Sequence, residues 1–153
     1  MNSKIYQRAL IAFFALTAAV WIPWGLYCLF VPQAWSGQVI PGMEVFTLDT
    51  ATARTEVRAM YGGLQLAIGL FTLIAIFKRE HQASALLFLT LALSGLALSR
   101  MYGLMIDGNS PVFHFSTVVT PETYNSIGFS MYEFPSMLFA WILFATKKNH
   151  KNK

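Results

Sequence analysis

Four runs of apolar residues, divided by polar connections of unequal length, cover about 9–30, 57–77, 83–104 and 127–145 of the chain. Crossing about 30 Å of hydrocarbon takes roughly 20 mostly apolar residues, and a helix is the open-ended element that satisfies its own backbone there. Each run meets that length. The pattern predicts an all-α fold, a four-transmembrane-helix bundle that forms a single integral membrane domain over residues 1–153. The polar stretches around 32–56 and 107–126 become two longer outer loops, and a short turn joins the second and third spans.

The first run follows Lys4 and Arg8, as the apolar core of a signal peptide does. It ends in aromatics and Pro32 rather than in small residues suited to cleavage, which favours a retained helix. Pro23 and Pro135 lie inside the first and fourth spans, where each removes a backbone donor and frees the carbonyl four residues earlier, that of Ala19 or Met131. Small residues recur every fourth position on two spans: Ala59, Gly63 and Ala67 on the second, and Gly95, Ser99 and Gly103 on the third. Membrane helices associate where small side chains let backbones approach, so these two stripes are expected to pack on each other.

Charge supplies the orientation. Lys4 and Arg8 precede the first span, Lys78 and Arg79 fill the short turn, and Lys147, Lys148, Lys151 and Lys153 follow the fourth. Cations concentrate on the cytoplasmic side, which puts both termini there. Glu44, Asp49, Asp107 and Glu122 mark the opposite, outer loops. Trp21, Trp24, Trp35, Tyr102 and Tyr124 fall near the outer ends of the spans, where an interfacial aromatic belt is expected. Composition agrees with the pattern: 56% of the 153 residues are hydrophobic and 12% are charged, about half the charge of a soluble domain. The net charge of +4 sits at the ends and in one turn, so it reads as topology, or as attraction to anionic lipid, rather than as a nucleic-acid surface.

Ionisable groups inside hydrocarbon are expensive, which makes their positions informative. Glu56 and Arg58 open the second span, Arg100 lies near the outer end of the third, and Glu133 is inside the fourth. At about 1.5 Å per residue all four fall in one outer layer. On the second helix Arg58, Gly62, Gln65, Gly69 and Thr72 share a stripe; on the fourth, Ser126, Ser130, Glu133 and Met137 share another. Tyr61 is placed either to offer its hydroxyl to an Arg or Glu or to anchor at the interface. Three roles fit this layer of Glu56, Arg58, Tyr61, Gln65, Arg100 and Glu133. It is an ion-pair network that sets helix register, or a polar pocket for a lipid headgroup or other small amphiphile, or a set of side chains reaching the interface.

Catalytic machinery is not apparent. The chain has no phosphate loop, nucleotide-binding glycine fingerprint, nucleophile elbow or His-Glu-x-x-His helix, and TEVRAMYGG lacks the strand and spacing of a phosphate site. His81, His114 and His150 are too dispersed to share a metal, so neither a metal nor another cofactor is expected. The single cysteine, Cys28, excludes an intrachain disulfide and sits in an apolar helix, where a buried inert thiol is expected.

The run TEVRAMYGGLQLAIGLF, with SRMYGL and Asp107-Gly108 after the third span, resembles a family of small four-helix bacterial membrane proteins known as domain of unknown function 4345. The matching elements are Glu56, Arg58, Tyr61, Gly62 and Gly63 in a Glu-x-Arg-x-x-Tyr-Gly-Gly segment, and Arg100 in the third helix. The resemblance implies a multi-pass protein of the bacterial inner membrane and supplies no reaction or ligand. The long first outer loop, SGQVIPGMEVFTLDTATARTE, is the part expected to set this member apart.

The function expected from these residues is non-catalytic: an accessory subunit of a larger membrane complex, or a binder of a lipid-like molecule through the outer polar layer. Membrane lipid is the expected partner, with a larger complex or a homo-oligomer as protein context. The alternative is a small membrane enzyme or proton-coupled carrier that uses Glu133 and Arg100. Four helices without an inverted repeat make a carrier the less economical of the two.

Overall fold

The computed structural model describes residues 3–35, 47–107, 111–115 and 123–151. Glu44, Gly108, Glu122, Lys153 and the rest of the stretch 36–46, expected in the first outer loop, lie outside them. The described residues form helices and connecting segments with no strand, and four helices are long and apolar enough to cross a membrane: Ser3–Phe30, Ala51–Phe77, Arg79–Ile106 and Tyr124–Lys147. The all-α architecture read from the apolar runs is the one observed.

Each helix extends beyond its apolar run, because the polar ends have their own reasons to be helical. The second begins six residues early at Ala51, where the Thr50 hydroxyl accepts from the Ala53 N–H at 3.1 Å and supplies the missing N-terminal partner. Arg54 then reaches back to the Leu48 and Asp49 carbonyls at 2.9 and 3.1 Å, which folds residues 48–50 over the helix start. At the other end Lys78 leaves the helix in an extended conformation.

Two of the helices contain a wider, π-type stretch. Val57–Gly63 in the second and Phe129–Glu133 in the fourth are π-helical, and the N–H of Leu64 and that of Phe134 reach back five residues, to Ala59 and Phe129. In the fourth helix Pro135 gives a cause. It has no N–H, and its ring would press on the carbonyl of Met131 in a regular α-turn, so a wider turn just before it relieves the clash. In the second helix the wide turn ends on Gly62 and Gly63, weak helix formers that hold no α-turn by themselves.

By packing, the chain divides into two compact units. One is Arg8–Gln82. Within it the first and second helices meet backbone to backbone at glycines: a Cβ on Gly25 would lie 2.6 Å from the Leu66 nitrogen, one on Gly62 2.9 Å from Leu29 Cα, and one on Gly69 2.7 Å from an Ile22 side-chain carbon. Later positions on one helix meet earlier ones on the other, so the pair runs antiparallel. The contact stripe on the second helix is the one that carries Arg58, Gly62, Gln65, Gly69 and Thr72, with Gly62, Gly69 and Thr72 buried and Arg58 and Gln65 half-buried. Ala59, Gly63 and Ala67, the stripe expected to pack on another helix, are instead exposed, as are Gly95 and Ser99 on the third, while Gly103 is half-buried. A Cβ on Gly95 would meet nothing within 4 Å. Small size alone does not identify the contact face; the second helix has small residues on two neighbouring stripes, and the inner one also carries its polar side chains.

The other unit is Met1–Gln7 with Ala83–Lys153. Its third and fourth helices bury Ala85, Leu86, Leu89, Leu93 and Ala97, and Phe129, Ala140 and Leu143. Hydroxyls that share these faces return to their own helix, as Thr90 does by donating to the Leu86 carbonyl at 2.7 Å. Trp141 Nε1 donates to Ser94 Oγ at 2.9 Å and ties the middle of the third helix to the fourth. Outward-facing positions such as Leu16, Leu91, Leu98 and Ile142 are apolar and exposed, as lipid requires. Two aromatics depart from the expected belt: Trp21 is buried and Trp24 half-buried, whereas Tyr102 is exposed. Cys28 is fully buried, as expected of an inert thiol.

Candidate functional site

The polar residues expected to share one layer fall into two constellations, one in each unit. In Ala83–Lys153, Arg100 Nε donates to Glu133 Oε2 at 2.7 Å. A second nitrogen of the same guanidinium donates to Asn125 Oδ1. The arginine therefore spreads two arms of its fork over two turns of the fourth helix. The pair is asymmetric in burial, with the Glu133 side chain 6% exposed and that of Arg100 23%. Asn125 was not among the residues expected from sequence; an Asn one turn before Ser130, at the start of a helix, carries no signal of its own.

One helical face carries Ser126, Ser130 and Glu133, all buried. The Ser130 hydroxyl accepts from the His114 N–H at 2.8 Å and donates to the Val112 carbonyl at the long limit of 3.5 Å. Those bonds hold the short segment 111–115 against the fourth helix, and Phe113 completes the attachment by packing on Phe129 and Phe134, each with ring centroids 5.4 Å away. The π-turn adds a further polar feature. Phe134, the α-type donor for the Ser130 carbonyl, donates to Phe129 instead, and Pro135, the π-type donor, has no N–H. That carbonyl thus loses both regular helical partners, and the Ser126 hydroxyl on the same face is buried without a hydrogen bond. Buried polar groups of this kind normally find a partner in protein, water or ligand.

In Arg8–Gln82, Glu56 is exposed and Arg58 half-buried, and among the described residues neither forms an ion pair. Two residues apart on a helix, they point roughly 200° from one another, so one stripe cannot hold both. Arg58 shares the stripe of Gln65, whereas Glu56 and Tyr61 line a recess of about 260 Å³ together with Thr47, Leu48, Ala53, Val57 and Met60. The backbone fold-back held by Arg54 contributes Leu48 to the lining, next to Thr47, and the π-turn contributes Val57, Met60 and Tyr61. Among the described residues no three His, Cys, Asp or Glu side chains gather as metal ligands.

The family described as Domain of unknown function (DUF4345) matches residues 7–122. The chain belongs to the DUF4345 family. The match spans the first three helices and takes in Glu56, Arg58, Tyr61 and Arg100, and it stops before Asn125 and Glu133, the fourth-helix partners of Arg100. Among curated proteins and among solved structures none matches. The DUF4345 assignment fixes kinship and leaves the activity to be argued from the two constellations.

Proposed function

We propose that this DUF4345 chain is a non-catalytic membrane protein that binds a lipid-like small molecule through the polar groups at the outer end of its helices. It resides in a bacterial inner membrane with both termini in the cytoplasm, and acts alone, as a homo-oligomer or as an accessory subunit. The recess beside Glu56 and Tyr61 carries this reading. It is concave and walled by Leu48, Val57 and Met60, with a small number of polar groups among them, which is the composition of a ligand site. Its place at the outer end of an apolar helix puts it within reach of molecules partitioned into the bilayer.

Arg100 and Glu133 support the same reading by being used up. Each satisfies the other's charge at a short distance, as expected for a bond that sets the register of the third and fourth helices. A second reading, a small enzyme or proton-coupled carrier working through these two residues, gains support from the π-turn that ends on Glu133, because π-turns recur at functional sites.

Native mass spectrometry of the protein released from lipid nanodiscs separates the readings. A lipid-like molecule retained by the parent chain and lost on Met60→Trp, which fills the recess, is the expected outcome. Equal retention by both chains overturns the proposal. A change in proton uptake in proteoliposomes on Glu133→Gln, with lipid retention unaltered, would transfer the function to the ion pair.

A further inference from the structure

The recess has a sign, and its sign selects a headgroup. Glu56 is the charged residue among those lining it, and this carboxylate has no ion-pair partner among the described residues. Arg54, the nearest cation along the chain, does not line the recess: its Nη1 donates to the Leu48 and Asp49 carbonyls. Arg58 leaves the helix on another stripe and does not line the recess. Tyr61, which does, brings an aromatic ring of the kind whose face attracts ammonium groups. The remaining lining of Leu48, Ala53, Val57 and Met60 offers apolar contact and no positive group.

Resting on the reading above that the recess takes a lipid-like molecule, we infer that its occupant is a membrane lipid with an amine-bearing head, its ammonium against Glu56 and Tyr61 and its first apolar carbons against Leu48, Val57 and Met60. Size agrees with this division. A volume of about 260 Å³ falls just short of the roughly 300 Å³ at which sites for whole drug-sized ligands begin, so it accepts a head and the carbons next to it rather than an entire lipid. The rest of the chain has a path. Met60 and Leu64, one turn apart on the same side of the second helix, are 52% and 48% exposed and continue the apolar wall toward the middle of the span.

The test uses the full chain in nanodiscs made of phosphatidylethanolamine and phosphatidylglycerol in equal amounts, with retained lipid identified by native mass spectrometry. The parent protein is expected to retain the amine-headed lipid over the glycerol-headed one by about threefold, the size of one partly exposed charge contact. Glu56→Gln, at an exposed position that contributes nothing to the core, is expected to bring the ratio to about one. A ratio near one in the parent protein, or a preference that survives Glu56→Gln, overturns the amine assignment while lipid retention itself stands. Retention of neither lipid, or equal retention after Met60→Trp, removes the underlying lipid reading as well. Met60 is itself exposed, so that substitution tests occupancy without disturbing the fold, and circular dichroism of each variant checks this.

Discussion

Glu133 lies deeper than the arginine that neutralises it: its side chain is 6% exposed and that of Arg100 23%, across a contact of 2.7 Å. The consequence is that the two partners are unequal when one is removed. An Arg freed of its carboxylate can swing its long side chain toward headgroups, whereas a Glu freed of its Arg stays enclosed. Arg100→Leu is therefore expected to destabilise the protein by on the order of 3 kcal/mol, and Glu133→Gln by about 1 kcal/mol. The double variant Arg100→Leu with Glu133→Leu should recover most of the larger loss. Thermal unfolding in neutral detergent, read as a double-mutant cycle, checks the order; equal single losses would contradict the burial asymmetry.

Glycine positions give a prediction with two signs. A Cβ at Gly25 would be driven to 2.6 Å from the Leu66 backbone nitrogen, and one at Gly62 to 2.9 Å from Leu29 Cα, so alanine at either position forces the first and second helices apart. The expected cost is about 1 to 3 kcal/mol, the range for overpacking a contact that cannot give. At Gly95 the same methyl meets nothing within 4 Å, and there alanine should be neutral or stabilising by up to about 1 kcal/mol through helix propensity. Unfolding midpoints of the three alanine variants decide the matter, and a Gly95→Ala loss comparable to that of Gly25→Ala would show that the third helix has a close neighbour at that face.

The spans were legible because lipid imposes length and hydropathy on them, and the depth of Arg100 and Glu133 followed from counting residues along two helices. The second pair was not legible as a site because Glu56 and Arg58, though adjacent in depth, leave the helix on different sides, and depth alone does not distinguish these directions. Asn125 and the Phe113 attachment had no periodic signal, being set by tertiary contact in a loop and at a helix start. The π-turns were hidden for another reason: a one-residue widening leaves composition and hydropathy unchanged, and of the two only the fourth-helix turn has a proline to announce it.

The tryptophan link between the third and fourth helices should be worth little. Trp141 Nε1 donates to Ser94 Oγ at 2.9 Å, but the ring is 46% exposed and Ser94 already has a partner in the Thr90 carbonyl at 2.6 Å. Hydrogen bonds between membrane helices average about 0.6 kcal/mol, and Trp141→Phe keeps the apolar body. A loss near that value, absent when Ser94 is already Ala, is expected from unfolding midpoints; a loss several times larger would make this contact the anchor of the unit.

Pro135 allows the origin of the wide turn in the fourth helix to be tested against its use. If the missing N–H and the crowded Met131 carbonyl are what hold Phe129–Glu133 in a π-turn, Pro135→Ala supplies the donor and removes the ring, and the segment can close to an α-turn. A π-turn accommodates about one residue more than an α-turn, so closing it rotates the residues on its two sides by roughly 100° relative to one another. Asn125 precedes the turn and Glu133 is its last residue, and the guanidinium of Arg100 now reaches both. After closure it could keep one of them only. The coupling between Arg100 and Glu133 should consequently fall by at least half in a Pro135→Ala background, even though helix propensity at the position improves. Undiminished coupling would mean that the contacts of Phe129 and Phe134 with Phe113, rather than the proline, maintain the turn, and Phe113→Ala would then be the change that closes it.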